Sequence, residues 1–556
     1  MKNILIAIRS IFKKGRHNVM KIVSLGIGLA VGLVLIAKVY FEQSYDDFYP
    51  DRDRVYQVWA KYQQNGGELK DYPQTSGGIA PTMQQQIPEI ETVTRYTSFG
   101  DWTFTMTDTK MKYSGRCIIA DSCFFDILPR PMLIGNAKEV LSTPMYVLVS
   151  SRIAKNIGGD VIGKNFTVDS SPGRTMTIGG VFEEVPENSH SRYDVIVSMA
   201  SAGRFMWEGS PTNMLGNDRY ISYVKLHKGV NPLALEEQVH TFVNSYFPPE
   251  EQQKTGFNIG FSFHELDGLH KELPQVKRMT WILSLLAFAL IFTAVMNYIL
   301  IVISSIVNRS KEVAVHKCYG ASENNIHGMM FGEALVHIVL SLILALLLIL
   351  AFRGTVEELL ATSLDSLLLS NGSLVLLGIC ILVFFVSGFM PGSLYARIPV
   401  ASAFRNYREN KRIWKKALLL VQFVATGFLV TMLVFVARQY TFMVNDRPGY
   451  AYENLAYCGL AGVDSTSRAK ILDEVMRLPG VIAATTVYQL PFEHASGNNI
   501  LLPGETQELF NIADLYWVGN GYLDMMEIPV IQGRSFTENV TNSREVMVDR
   551  RFVEKM

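Results

Sequence analysis

The sequence is poor in charge and in cysteine, and both shortages exclude classes of protein. Only 18% of its 556 residues are charged, against about 25% in a typical soluble domain. The 51 basic and 51 acidic residues cancel, so no excess of one sign points to nucleic acid. The five cysteines are scattered, without a CxxC pair or a Cys/His cluster, which excludes a disulfide scaffold and a zinc ribbon. Cys117 and Cys123 could still pair, and this stays open.

Sets of residues that carry catalysis are also missing. No Ser/His/Asp, Cys/His or metal-ligand set stands out. Acidic pairs such as Glu183-Glu184 and Glu357-Glu358 have no partner base or metal-ligand spacing in the sequence, so we expect them at the solvated surface. Residues 158–165 (GGDVIGKN) nearly match a phosphate-binding loop. That loop needs Ser or Thr after its lysine and then a helix, whereas Asn165 follows Lys164 and the next residues indicate a strand. We therefore expect no catalytic residue, no metal and no cofactor in this chain, and any ATPase must be another chain.

Long apolar runs, in contrast, are abundant. About 20 consecutive apolar residues are needed to cross a bilayer as a helix, because no water is present to satisfy the backbone. Five stretches meet this requirement: 22–41, 279–308, 334–352, 373–395 and 417–437. The first is too long for a signal peptide and no small-residue cleavage site follows it, so it indicates an uncleaved membrane helix.

The distribution of Lys and Arg predicts the orientation of these five spans. Basic residues are concentrated in three segments, 1–21, 309–326 and 396–416, whereas 353–372 has one Arg beside three acidic residues. Short basic segments stay in the cytoplasm. We therefore predict a multi-pass protein of the inner (cytoplasmic) membrane with a cytoplasmic N-terminus, and with residues 42–276 and 438–556 outside.

The two outside segments indicate mixed α and β structure. In residues 42–276, β-rich runs predict strands at 54–59, 145–149 and 220–226, and helical patterns lie at 79–87 and 232–246. The predicted fold class is therefore a multi-domain integral membrane protein, in which α-helical transmembrane spans carry mixed α+β extracytoplasmic domains.

The chain also repeats itself at an offset of about 398 residues. Residues 124–128 (FFDIL) are echoed by 522–526 (YLDMM), and 146–155 by 545–554 in apolar pattern. Two echoes at one offset predict two similar halves. On this prediction the second outside domain, 438–556, is incomplete and three further spans are missing, either because the chain is truncated or because the second copy is a remnant.

Several residues are candidates for functional roles. Charged and small residues occur together between the second and third spans: Arg309, Glu312, His316, Lys317, Gly320 and Ala321. Glu333, at the predicted start of the third span, is a candidate for the membrane interface, or for pairing with Lys317 or with a basic residue of a partner. Gly28 and Gly32 form a small-xxx-small pattern that would let another helix approach. His337 and Gln422 are costly in lipid and should face protein.

The segment 309–322 (RSKEVAVHKCYGAS) resembles the signature that follows the second span in FtsX-like permeases, roughly R-x-x-E-I-G-x-R-K-x-x-G-A, with His316 in place of an arginine. Residues 121–164 resemble the MacB-like periplasmic core domain, and 180–190 (GVFEEVPENSH) resemble the loop that leaves one of its strands. Residues 387–391 (SGFMP) resemble the end of the fourth span of the family.

This resemblance implies an eight-span ABC permease with two core domains, although this chain stops before the last spans. Such a subunit is non-catalytic, works with a separate cytoplasmic ABC ATPase, and transmits the motion of that ATPase to its outside domains. Residues 309–322 would then contain a coupling helix. The partners implied are the ATPase, a second permease copy, a periplasmic protein and membrane lipid, but no nucleic acid.

Other classes of protein remain as alternatives. A membrane receptor or an adaptor that regulates a cell-wall hydrolase is one, and a membrane-tethered hydrolase is another. For residues 309–322 the alternative is a solvated connector. The sequence does not identify a substrate or an oligomeric state.

Overall fold

The computed structural model describes residues 17–64, 67–169, 171–369, 372–400, 413–446, 449–460, 463–491, 496–502, 508–536 and 545–556. Most of the two predicted basic segments 1–21 and 396–416 lies outside these ranges, as does the side chain of Arg309. Within the described residues the chain forms a set of membrane helices, a large mixed sheet and a smaller C-terminal region.

Five described helices are long and apolar enough to cross a membrane, which confirms the predicted number. They are Asn18–Gln43, Pro274–Ser304, Glu323–Ala351, Ser373–Ala396 and Ile413–Asn445. The third begins at Glu323, well before the predicted residue 334, because the Ser322 hydroxyl accepts a hydrogen bond from the Asn325 N–H and starts the helix there. The second ends at Ser304, before the predicted residue 308, and a separate helix follows.

The first four membrane helices share one apolar core, in which Leu25, Tyr298, Ile338 and Tyr395 are among the buried residues. The fifth is different. Only 6% of its most apolar 18-residue stretch is buried inside the protein, against 44% of the corresponding stretch in the first membrane helix. Most of its surface is therefore available to lipid or to another membrane helix.

The chain between the first two membrane helices forms a separate domain, which we call the core domain. Its strands form an eleven-stranded mixed sheet in the described residues, in the order β11-β1-β10-β3-β4-β9-β6-β8-β5, with β2 beside β1 and β7 beside β3 and β8. The strands are β1 Val55–Gln64, β2 Lys70–Tyr72, β3 Ile90–Met106, β4 Lys112–Ala120, β5 Met132–Ile134, β6 Tyr146–Ser150, β7 Asn165–Val168, β8 Ser171–Phe182, β9 Val195–Ser198, β10 Ile221–Leu226 and β11 Phe257–Glu265. The pairs β4–β9 and β6–β8 are parallel and the others are antiparallel.

Short helices cover this sheet and close three apolar clusters against it. They are Ile79–Gln86, Phe124–Ile127, Ala137–Ser142, Ser151–Ile157, Ala202–Phe205, Glu236–Tyr246 and Pro249–Thr255. The predicted strands at 54–59, 145–149 and 220–226 correspond to β1, β6 and β10. Cys117 is fully buried and Cys123 half-buried, and both are free thiols, so the open question of a disulfide is answered in the negative.

The C-terminal region contains the strands β12 Ser496–Leu501 and β13 Glu508–Leu515 and the helices Ser465–Met476, Tyr522–Met525 and Arg550–Lys555. Two details match the predicted repeat. Gly135 and Gly533 both have positive φ, 84° and 91°, and each follows the short helix that the echo aligns. Ser150 and Asp549 each cap a helix by accepting a hydrogen bond from the N–H three residues later. The repeat itself stays a prediction.

Candidate coupling sites

The segment between the second and third membrane helices is itself a helix, Ile306–Cys318, which we call the coupling helix. It ends in a turn that requires glycine. Gly320 has φ +86°, and the Ala321 N–H donates to the His316 carbonyl at 3.0 Å, which is a common way to close a helix C-terminus. A side chain at Gly320 would meet open space, so the backbone conformation, and not crowding, is the reason for glycine here.

The coupling helix has a buried and an exposed face. Val313 and Ala314 are each 1% exposed and pack into the membrane-helix core. Val315 and His316 are exposed on the other side, and Tyr319, just after the helix, is 89% exposed. Tyrosine is enriched at protein interfaces, so the exposed Tyr319 makes this side of the helix a candidate docking surface. Sequence reasoning missed Val315 and Tyr319, although the helical period of the buried residues would have identified them.

Lys317 has a role that the sequence did not reveal. Its Nζ donates hydrogen bonds to the carbonyl oxygens of Ala396 and Ile398, at 2.7 and 2.9 Å. These carbonyls lie at the C-terminal end of the fourth membrane helix, where backbone acceptors lack helical partners and a cation is favoured. The suggestion that Lys317 pairs with Glu333 is therefore wrong: its ammonium group ties the coupling helix to the fourth membrane helix.

Glu333 lies ten residues inside the third membrane helix and is only 7% exposed, because that helix begins earlier than predicted. One turn later His337 is 2% exposed, and its Nδ1 lies 3.2 Å from the Tyr298 hydroxyl of the second membrane helix. Gln422 is also buried, at 7% exposed, on a helix that is otherwise mostly exposed. His337 and Gln422 thus both face protein.

Gly28 and Gly32 lie where the first membrane helix crosses the second. A Cβ at Gly28 would overlap the Cβ of Ala294 and would lie 3.6 Å from the carbonyl oxygen of Leu290. A Cβ at Gly32 would overlap the side chain of Ile291. The two glycines therefore let the backbones of these helices approach closely within one chain.

A second polar cluster, not anticipated from the sequence, surrounds the C-terminal end of the first membrane helix. Lys38 and Glu42 form a buried ion pair at 2.7 Å, with side chains 10% and 7% exposed. Glu42 also lies 2.6 Å from Nε2 of His270, in the segment that leads into the second membrane helix. Lys38 donates a further hydrogen bond, at 2.8 Å, to the Thr362 hydroxyl. A buried charge is tolerated when it is paired in this way.

Thr362 belongs to the connection between the third and fourth membrane helices, residues 353–369, which we call the 353–369 hairpin. It consists of the short helices Arg353–Leu360 and Leu364–Leu368. Its Leu367 is 1% exposed and packs against Ala37 and Phe41 of the first membrane helix. The hairpin is therefore docked on the first membrane helix by apolar contact as well as by Lys38.

The core domain contacts the same place through the segment that follows β8. Glu187 Oε2 accepts a hydrogen bond from the Ser363 N–H of the hairpin at 3.0 Å. The Asn188 side chain donates to the Ser44 carbonyl at 2.7 Å. Asp46, fully buried, accepts from the Ser189 hydroxyl at 2.6 Å and lies 2.5 Å from Nδ1 of His190. We call Lys38, Glu42, Glu187, His270, Thr362 and Ser363 the junction network.

Three of the four acidic residues read as unpartnered surface groups have basic partners in the structure. Glu183 and Glu184 lie 3.2 and 3.5 Å from Arg130 and Arg152. Glu357 pairs with Arg353 at 2.9 Å and accepts a hydrogen bond from the Leu364 N–H. The hydrogen bond from Leu364 and the charge of Arg353 both lower the pKa of Glu357. The side chains of Glu183 and Glu184 are 53% and 52% exposed, so these ion pairs lie at the solvated surface, as predicted.

The segment that nearly matches a phosphate-binding loop has the predicted structure. The helix Ser151–Ile157 precedes it, and the strand β7 starts at Asn165, directly after the lysine. The Nζ of Lys164 donates to the Gly158 carbonyl at 3.3 Å. The residues after Lys164 thus form a strand and not the helix whose N-terminus would bind a phosphate. Among the described residues, no group of His, Cys, Asp or Glu side chains is placed to hold a metal ion.

Comparison with family models defines the class of protein. Residues 20–242 match the MacB-like periplasmic core domain, and residues 284–400 match the FtsX-like permease C-terminal domain. The chain is thus a membrane protein of the ABC-permease kind. It belongs to the family of MacB-like and FtsX-like permeases, as the sequence motifs predicted. Permeases of these families are generally non-catalytic and generally work with a cytoplasmic ATPase.

Three solved structures similar to this chain each cover about two fifths of it. A domain of a "putative permease protein" from Porphyromonas gingivalis is 32% identical and covers 39% of this chain and 91% of its own, with a TM-score of 0.36. The periplasmic region of MacB from Actinobacillus actinomycetemcomitans is 16% identical, covering 40% and 92%, with a TM-score of 0.27. The extracellular domain of the noncanonic ABC-type transporter YknZ from Gram-positive bacteria is 10% identical, covering 38% and 98%, with a TM-score of 0.28. A search of curated proteins finds no significant match.

Proposed function

We propose that this chain is the non-catalytic permease subunit of an ABC-transporter-type complex, and that the coupling helix docks on a separate cytoplasmic ATPase. The observation that carries the proposal is the two-faced coupling helix. One face packs among the membrane helices, and the other presents Val315, His316 and Tyr319 outward. ATP is bound and hydrolysed by the partner, and the subunit has no cofactor of its own.

The proposal includes an orientation and a place in the cell. The concentration of Lys and Arg near the coupling helix and in residues 396–416 favours a cytoplasmic N-terminus and coupling helix, in an inner (cytoplasmic) membrane. The core domain then lies in the periplasm, where a second permease copy and a periplasmic protein are its proposed partners. The work done there is export, lipoprotein handling or another task at the cell envelope.

Transmission from the coupling helix follows from its attachments. A displacement of the ATPase moves the exposed face of the helix, and Lys317 passes this movement to the end of the fourth membrane helix. The chain itself passes it to the second and third membrane helices, because the coupling helix connects them. All three membrane helices therefore respond to one docking site.

The test is co-purification of the P-loop ATPase with the tagged chain from its native cells. Glu312→Lys places a like charge among the basic groups of the coupling helix, and we expect it to reduce the recovered ATPase at least tenfold while the chain still inserts. Tyr319→Ala should act similarly by removing an exposed contact. Glu358→Lys, on the 353–369 hairpin, is the matched charge-reversal control and should retain the ATPase. Full recovery with both docking variants would show that the coupling helix is only a connector.

A further inference from the structure

We propose that the 353–369 hairpin is a second, non-covalent connection between the membrane helices and the core domain, and that its contact from Ser363 to Glu187 fixes the orientation of that domain. The inference rests on the proposed function, in which movement of the membrane helices reaches the core domain. It assigns positioning roles to residues of the junction network.

The chain joins the core domain directly to only two of the first four membrane helices. The core domain is joined covalently to the first and second membrane helices. The third and fourth are joined to each other by the 353–369 hairpin, and the fourth is held by Lys317 at its opposite end. Movement of these two helices therefore needs a contact of the hairpin to reach the core domain directly.

The two helices of the hairpin are joined to each other by side-chain contacts. Arg353 pairs with Glu357 at 2.9 Å and with Asp365 at 3.4 Å, which joins its two helices. Glu357 also accepts the Leu364 N–H at 2.9 Å, which adds a second link between the two helices. Both helices are thus fixed to each other by side chains of the hairpin itself.

The hairpin is also seated at a fixed place. Lys38 forms an ion pair with Glu42 and donates a hydrogen bond to Thr362. Glu42 also contacts the imidazole of His270. The first membrane helix, the approach to the second and the hairpin therefore share one buried ion pair. Breaking any of these contacts leaves a buried charge less well satisfied, so the three segments favour one arrangement.

On the core-domain side, Glu187 is held by its neighbours in sequence. The Asn188 side chain donates a hydrogen bond to Ser44, which directly follows the first membrane helix. Asp46, two residues later, is hydrogen-bonded to Ser189 and His190. His190 Nε2 additionally lies 2.5 Å from the Tyr223 hydroxyl on β10, inside the sheet. A displacement of Ser363 is therefore applied to a segment that is anchored in the central sheet.

The test measures the orientation of the core domain in the full chain alone, reconstituted in lipid nanodiscs. Cys318 and Cys458 are replaced by serine, and spin labels are placed at Lys228→Cys in the core domain and Leu359→Cys on the hairpin. Both label sites are exposed. We expect one narrow distance distribution, and at least a twofold broadening with Ser363→Pro and with Glu187→Ala.

Ser363 permits a matched control. Its φ of −65° is compatible with proline. Ser363→Pro therefore keeps the backbone conformation but removes the N–H that donates to Glu187, together with the hydroxyl that caps the following helix. Ser363→Ala removes the hydroxyl alone and should keep the narrow distribution, as should Glu250→Ala on the exposed surface. A second label pair within the core domain, at 138 and 228, should stay narrow in every variant, which shows that the domain is folded. An unchanged 228–359 distribution in Ser363→Pro overturns the proposal.

A second measurement, made with the ATPase bound, tests this inference separately from the proposed function. When the ATPase co-purifies, ATP should shift the 228–359 distance in the parent, and Ser363→Pro should lose that shift while retaining the ATPase. A shift of equal size in Ser363→Pro would count against the hairpin. If no ATPase binds the parent, the proposed function fails, and the distribution without ATP still decides whether the hairpin positions the domain.

Discussion

The Nζ of Lys317 lies 2.7 Å from the carbonyl oxygen of Ala396, so the last turn of the coupling helix is bonded to the last turn of the fourth membrane helix. The same ammonium group reaches Ile398. One side chain thereby satisfies two backbone acceptors at a helix end. The coupling helix is anchored to the membrane helices by a specific polar contact in addition to its apolar face.

Removing this contact should loosen the coupling helix. Hydrogen bonds to charged groups contribute about 1.5–3 kcal/mol, so we expect Lys317→Met to destabilise the helix locally by about 2 kcal/mol. That corresponds to roughly thirtyfold faster amide exchange over residues 306–318. Hydrogen–deuterium exchange followed by mass spectrometry measures it. Lys311→Met, an exposed change on the same helix, is the control, and equal exchange rates in the two variants would contradict the role assigned to Lys317.

The crossing of the first and second membrane helices should not tolerate a methyl group. Gly28→Ala places a Cβ against Ala294, and overpacking typically costs about 1–3 kcal/mol. Gly427→Ala is a matched control, because a Cβ there meets nothing within 4 Å. Thermal unfolding in detergent should show a lower Tm for Gly28→Ala only. Adding Ala294→Gly should restore part of the loss, and the packing argument fails if Gly427→Ala is equally damaging.

Asp51 should give the core domain an acid-sensitive contact. Its carboxylate accepts hydrogen bonds from Lys225 at 2.6 Å and Arg54 at 2.9 Å, which lower its pKa from 3.8 to about 2. Because the folded pKa lies below the unfolded one, the contribution to stability is complete above about pH 4 and disappears as the pH falls towards 2. The Asp51 side chain is 39% exposed, so solvent screening keeps this contribution small.

Thermal unfolding of the parent and Asp51→Asn between about pH 6 and pH 2 tests this dependence. The Tm difference should be largest at the upper end and should vanish near pH 2. Asp53→Asn, at an exposed neighbouring position, serves as the control for a change of surface charge. If the Tm difference between the parent and Asp51→Asn grew as the pH fell, Asp51 would not have a lowered pKa in the folded protein.

The orientation is tested with reporter fusions. A reporter active only in the cytoplasm should be active when fused after Asn410 and silent when fused after Gly229, because Lys and Arg are concentrated in residues 396–416. A reporter that works only outside the cytoplasm should give the inverse pattern. Activity of the cytoplasmic reporter at Gly229 would reverse the proposed topology.

Local pattern was sufficient to predict much of this architecture. The five membrane helices follow from uninterrupted apolar runs, and β6 follows from a short β-rich run. The third membrane helix starts earlier than predicted because Ser322 caps it. Its first residues are polar, and a criterion based on hydropathy does not include them. The free state of Cys117 and Cys123 also needed the structure, since it depends on how β4 and the following turn pack.

The junction network could not have been predicted from local pattern. Lys38 and Thr362 are 324 residues apart in the sequence, and the contact from Glu187 to Ser363 uses a backbone N–H, which has no residue signature. Lys317 was identified as a candidate, but its acceptors are carbonyl groups and are equally invisible in the sequence. Long-range contacts between side chains and backbone need the fold before they can be recognised.

The close crossing at Gly28 and Gly32 limits how the core domain can move. The chain enters this domain from the first membrane helix and leaves it into the second, and these two helices lie almost in backbone contact. Nearer the core domain, Glu42 and Nε2 of His270 lie 2.6 Å apart and hold the entry and exit segments together. We therefore expect a force applied through the membrane helices to tilt or rotate the core domain as a whole, without opening its sheet.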